Sequence, residues 1–257
     1  MPNGALLFTV FYLIVSYNEV YFHEKTPLVF TFFIFCAPAP ALFAHDYEDF
    51  TLDAKAGLLI EADTGEILYE KNAHQENFPA SLTKVMVALL VFEAIDEGKI
   101  ALTDSVTATE SAFEGLSSDG STANIVPGET MTVEQLLNCM LIVSANEACN
   151  ILGETLCGSV DAFVARMNER AAELGCEHTH FANATGLHNS QHYTTAWDLY
   201  LITREALKHD KFMEICNSKS YTVPATNMTD KPRELHSTNF LISNWRARGY
   251  VYRDAQG

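Results

Sequence analysis

Residues 78–95, "FPASLTKVMVALLVFEAI", follow a Phe-Pro break with an apolar run that leaves almost no polar side at helical spacing. A helix of that kind cannot lie on a surface. It belongs in the middle of a fold, with other elements around its whole circumference. The pattern predicts a helix from about Ala80 to Glu97, with Pro79 before the first turn, where a missing N–H costs nothing, and Gly98 stopping it. Against this apolar background Ser81 and Lys84 stand at i and i+3, neighbours on one face of the first turn. Partial burial disfavours the lysine ammonium, and the positive end of the helix dipole disfavours it again. A lysine so lowered accepts a serine proton and makes the hydroxyl a nucleophile. The free N–H groups of the same helix end favour an oxyanion nearby. An S-x-x-K match arises roughly once by chance in a chain this long. Its place at the start of a buried helix is what gives it weight.

Upstream, "AGLLIEADTGEILYEKN" reads as a β-hairpin turning at Gly65. Residues 99–131 are mixed, with a sharp turn at Pro127-Gly128. Thr132 and Gln135 form a T-x-x-Q capping box that opens a helix through "VEQLLNCMLIV". That helix breaks at Ser144-Ala145-Asn146 and resumes as "EACNILGETLC" before Gly158. The break sets a hydroxyl and a carboxamide side by side, a proton relay next to an amide-binding group. A polar inter-helix turn is the plain alternative. Further helices are expected over 160–174, ended by Gly175, and from Thr195 to Lys208, with loop at "THFANATGLHNS" and strand at "SKSYTVPA" and "YVYRDAQG". This order describes an α+β fold with a helical section between sheet strands.

The first 44 residues read as a leader. The run "TPLVFTFFIFCAPAPALFA" follows Lys25 and ends in small residues, as a secretory signal does, and a shorter apolar run precedes it. The expectation is an exported, extracytoplasmic protein, with membrane association through the leader. Residues 45–257 would form the folded domain. A net charge of −17, with 16 Lys and Arg in no cluster, excludes a nucleic-acid partner. Past the leader, Cys139, Cys149, Cys157, Cys176 and Cys216 have neither disulfide-framework nor zinc spacing and read as small buried hydrophobes. The nine histidines show no H-E-x-x-H pairing, and His178 and His180 lack a third ligand, so neither metal nor cofactor is expected.

Taken together, Ser81-Leu82-Thr83-Lys84 and Ser144-Ala145-Asn146 match the S-x-x-K and S-x-N active-site motifs of penicillin-recognising enzymes. The chain resembles the serine D-alanyl-D-alanine carboxypeptidases, the low-molecular-mass penicillin-binding proteins, from about residue 53 onward. The likeness extends through "LLIEADTGEILYEKNAHQENFPASLTKVMVALLVFEAI", "MTVEQLLNCMLIVSANEACNILGE", "DAFVARMNERAAELGCEHTHFANATGLH" and "HYTTAWDLYLIT". It implies a β-lactamase/transpeptidase-like fold, an antiparallel sheet flanked by helices with a helical subdomain. It also implies Ser81 as the acylated nucleophile, Lys84 as its base, Ser144 as proton relay to the leaving D-alanine, and Asn146 as the group holding the substrate's peptide amide. The partners implied are peptidoglycan stem peptides ending in D-Ala-D-Ala, and β-lactams as covalent inhibitors; the resemblance also implies a protein of the cell envelope whose catalytic domain is residues 45–257, with a C-terminal membrane anchor. The family's third motif, Lys-Thr-Gly or His-Thr-Gly, is absent, and "YVYRDAQG" resembles the stretch just before it. The expectation is therefore a chain that stops short of that motif, with its C-terminal sheet strands missing. Two other functions stay open: a class A β-lactamase-like hydrolase, for which no E-x-x-L-N follows the second motif, and a catalytically dead wall-peptide or β-lactam binder.

Overall fold

The computed structural model describes residues 54–62, 64–239 and 242. The expected leader and the strand expected at 250–257 lie outside them. The first elements are β1 (Gly57–Ile60) and β2 (Ile67–Lys71), an antiparallel pair in the register Gly57↔Lys71 to Ile60↔Ile67, with an irregularity between Leu59 and Ile60. The turn closes through Gly65, at φ 74, whose N–H donates to the Glu61 carbonyl, while the Glu61 carboxylate accepts from Thr64. The inner face of β1 buries Ala56 and Leu58 against Ala73 and Ala196 in a small core of their own. Ile67 and Leu68 of β2 remain 44% and 40% exposed.

The apolar run becomes α1 (Lys84–Asp96), preceded by a single 3-10 turn over Ala80–Thr83. The expected helix thus begins four residues later as an α-helix. The reason is local: Ala80 sits at φ 46, a left-handed conformation that an α-helix does not continue. Met86 to Phe92 are buried without interruption, so α1 is the central helix its sequence demands. Around it pack α2 (Val133–Val143), α3 (Asn146–Cys157), α4 (Val160–Glu173) and α5 (Ala196–Ala206).

α2 opens with the capping box as expected: the Thr132 hydroxyl accepts from Gln135 N–H at 3.2 Å, and the Gln135 carboxamide accepts from Thr132 N–H at 2.9 Å. It ends at Ser144, whose left-handed φ of 63 turns the chain, and Ala145 N–H closes on the Cys139 carbonyl at 3.1 Å. Thr195 caps α5, accepting from Asp198 N–H.

Four elements had no counterpart in the sequence reading. α6 (Asp210–Cys216) packs on α2; β3 (Ser105–Thr107) pairs with β4 (Thr130–Thr132); and β6 (Arg233–His236) pairs with the expected strand, β5 (Ser220–Val223). An ion pair between Arg233 and the buried Glu129, at 2.9 Å, ties β6 to the turn before β4. The result is mixed α and β, with the β1–β2 hairpin on one side of a helical unit. Among the described residues each sheet has two strands. No helix among them is long and apolar enough to cross a membrane.

Candidate active site

Ser81 is exposed while Lys84, one turn on, is only 3% exposed, so the hydroxyl faces solvent and the amine lies in the protein. Lys84 Nζ lies within hydrogen-bond distance of three oxygens: Ser81 Oγ at 3.2 Å, Asn146 Oδ1 at 2.8 Å and the Thr185 carbonyl at 2.8 Å. Ser144 Oγ donates to Ser81 Oγ at 2.9 Å. The helix break before α3 thus places Ser144 and Asn146 against the first turn of α1. All four side chains singled out in the sequence meet in one cluster.

The backbone there is held in unusual conformations. Among the described residues, four other than glycine have positive φ; two are Asn, which tolerates it, and the others are Ala80 and Ser144. Such residues cost about 1–3 kcal/mol each and persist only where the surroundings fix them. Here one is Ser144 itself and the other, Ala80, immediately precedes Ser81.

The electrostatics shift Lys84 toward the neutral amine. Burial lowers the Lys84 pKa below its ordinary value, outweighing the attraction of nearby negative groups. Of these neighbours, Cys149 is fully buried and its thiol is pushed up to about 11, so it is uncharged at neutral pH. The effective counter-charge is the buried Glu147, and it is occupied elsewhere. Its Oε1 accepts from Thr122 Oγ1 and Ala123 N–H, both at 2.7 Å, and from Ile125 N–H at 3.4 Å. That contact straps residues 121–125 beside Asn146, whose own N–H donates to the Ser121 carbonyl at 2.9 Å.

A neutral Lys84 amine has two hydrogens and one lone pair. Asn146 Oδ1 and the Thr185 carbonyl can only accept, so they take the two hydrogens and turn the lone pair toward Ser81 Oγ. Sequence reasoning missed Thr185 because it acts through its backbone oxygen, which no side-chain pattern marks.

Gly186, next to it, did carry a signal, as a lone glycine in a polar loop. It lies at φ 84, and a Cβ there would sit 1.8 Å from the Ala80 carbonyl oxygen and 3.0 Å from Ser81 N. Only glycine lets this loop touch the backbone of the nucleophile turn. Gly186→Ala is therefore expected to push the loop off α1, draw Thr185 away from Lys84 and slow covalent penicillin labelling by about a hundredfold. Stopped-flow or gel-based labelling beside a thermal melt would check this; an unchanged labelling rate would contradict the close approach.

The comparisons with known proteins agree with this geometry. The Streptomyces K15 DD-transpeptidase structure superposes with a TM-score of 0.70 at 28% identity, over 77% of this chain and 79% of that one. Penicillin binding protein 6B from Escherichia coli gives 0.67 at 28% identity, over 77% and 62%. The fold is that of the DD-transpeptidases and penicillin-binding proteins, β-lactamase-like in class. Residues 43–247 match the model of the peptidase S11 family, described as D-alanyl-D-alanine carboxypeptidase, and the chain belongs to that family. Among relatives, D-alanyl-D-alanine carboxypeptidase DacF of Bacillus subtilis is 40% identical over 190 residues, covering 74% of this chain and 48% of its own length. DacC of Escherichia coli is 33% identical over 215 residues, covering 81% and 54%. The chain spans about half the length of these relatives.

Proposed function

We propose that this chain carries the nucleophile half of a serine D-Ala-D-Ala carboxypeptidase that trims peptidoglycan stem peptides. The observation that carries the reading is the convergence of Ser81, Lys84, Ser144 and Asn146 within the family-matched region.

In this reading the neutral Lys84 amine takes the proton of Ser81 Oγ as that oxygen bonds to the carbonyl carbon of the penultimate D-alanine. The N–H of Ser81, at the start of its turn, is one donor to the oxyanion. The C–N bond to the terminal D-alanine then breaks. Its nitrogen receives the proton held by Lys84, relayed through Ser144, whose hydroxyl lies 2.9 Å from Ser81 Oγ. Asn146 keeps Oδ1 on Lys84 and has Nδ2 to donate to a backbone carbonyl of the peptide. Water finally cleaves the ester and frees Ser81. A penicillin enters by the same attack, but its leaving nitrogen stays tethered and the acyl-enzyme persists. The substrate is a wall polymer, so the reaction belongs outside the cytoplasm, consistent with the leader read over residues 1–44, and we propose a membrane-associated protein of the envelope.

The test is D-alanine release from a blocked peptide ending in Lys-D-Ala-D-Ala, with benzylpenicillin turnover measured alongside, on protein expressed from the complete gene. Steady D-alanine release with slow penicillin turnover is expected. Rapid penicillin turnover without D-alanine release would make it a β-lactamase-like hydrolase, and neither activity would make it a binder.

A further inference from the structure

His192 is 1% exposed and its ring bridges two separate pieces of the site. Nε2 lies 2.7 Å from Thr83 Oγ1, on the nucleophile turn between Ser81 and Lys84. Nδ1 accepts from Ala182 N–H at 3.0 Å. A backbone amide only donates, so Nδ1 holds the lone pair, Nε2 carries the hydrogen, and the ring must be neutral to make both bonds. Phe181 covers it edge-on at 5.7 Å.

From Ala182 the chain needs three residues to reach Thr185, whose carbonyl meets Lys84 Nζ. Those residues are held firmly. Phe181 exchanges two 2.8 Å hydrogen bonds with the Asn168 carboxamide. Asn183 Oδ1 accepts from Thr185 N–H, Thr185 Oγ1 and Gly186 N–H, and its Nδ2 donates to the Leu187 carbonyl. Thr83, His192, Ala182, Thr185 and Lys84 therefore form a closed ring of contacts. Its only link back to the nucleophile turn other than Lys84 itself, among these hydrogen bonds, is the imidazole.

We propose that His192 is a positioning residue for serine acylation: it fixes the register between the nucleophile turn and the loop whose Thr185 carbonyl aims the Lys84 amine. This rests on the reading of Ser81 and Lys84 given above. His192 touches no reacting atom. Its loss leaves Ser81, Lys84 and Asn146 in place but frees the Thr185 carbonyl to drift, and misplacement by about 1 Å costs roughly a hundredfold in rate.

Burial holds the imidazole down to about 4, aided by repulsion from His180, so it stays neutral through the working range of the enzyme. Thr83, Phe181 and Ala182, which touch the ring, bring no charge of their own.

The experiment uses protein expressed from its complete gene and a fluorescent penicillin, with the dissociation constant of the initial complex and the acylation rate constant measured separately. His192→Phe is expected to lower the acylation rate constant tenfold to a hundredfold while the initial dissociation constant stays within about twofold. His192→Gln, whose carboxamide can both accept and donate, is expected to recover most of the rate. If His192→Phe does not fold, Thr83→Val removes only the oxygen that the imidazole meets and is expected to give the same loss, with Thr83→Ser near wild type. An unchanged acylation rate constant in folded His192→Phe or Thr83→Val overturns the proposal, as does a loss confined to initial binding. Wild-type protein that is never labelled would instead overturn the reading of Ser81 as nucleophile.

Discussion

Ser81→Ala is expected to leave covalent penicillin labelling at background and to cut D-alanine release by a factor on the order of 10⁴ to 10⁶, the scale seen when an acylating serine is removed. Among the described residues the hydroxyl placed to replace it is that of Ser144, whose oxygen lies 2.9 Å away. In the resting site Lys84 makes no hydrogen bond to that oxygen: its three among the described residues are to Ser81, Asn146 and Thr185. Ser144 is also held at a left-handed backbone position, with its hydroxyl directed at Ser81 Oγ. The fold should survive, because Ser81 is exposed and belongs to neither core cluster. Mass spectrometry of the penicillin-treated variant is the direct measurement. An adduct forming at the wild-type rate would remove Ser81 from the mechanism.

The second large effect is expected from Lys84→Arg. The charge is kept, yet acylation should fall by a thousandfold or more, because a guanidinium stays protonated at any working pH and cannot take the Ser81 proton. In the unaltered protein the rate should rise with pH as the amine loses its proton, and the midpoint should lie below the 10.5 of a free lysine, since burial lowers it. Stability follows the same sign. Between the lowered folded value and 10.5 the unfolded chain binds more protons at this residue than the folded one, so its contribution to unfolding free energy grows as pH rises. Labelling rates across pH 6 to 10 for both proteins would decide. An arginine variant with most of its rate, or a wild-type rate flat with pH, would reduce Lys84 to a packing residue.

What the sequence made legible here was local. A helix apolar on every side has one place to go, and α1 goes there. The Thr132–Gln135 box and the Ser144 break depend on residues within a turn of each other, so composition and spacing suffice. The elements that escaped are those whose reason is distant. β3 and β4 have three residues each, too few for a period, and pair across the span from Ser105 to Thr132. β6 is held by Arg233 reaching Glu129. The site divides the same way. Ser81 and Lys84 share a turn, and Ser144 and Asn146 share a break, so motifs find them. Thr185 contributes a carbonyl that every residue possesses, and His192 acts only because folding brings it to Thr83 from 109 positions away.

The sulfurs of the helical unit carry one more consequence. Cys139 on α2 and Cys149 on α3 are 0% exposed, with thiols pushed up to about 12 and 11, and neither is in a disulfide. Thiolate is the reactive form, and neither sulfur can present it while the helices stay packed. An alkylating reagent reaches these two atoms only through molecules that have transiently opened, so the pace of their modification is a built-in clock on that opening. Because Cys149 sits one turn beyond Asn146, the clock is placed beside the lysine itself. Occupancy of Ser81 by an acyl group that tightens the α1–α3 junction would be heard there as a slower tick, with no label attached to the protein beforehand.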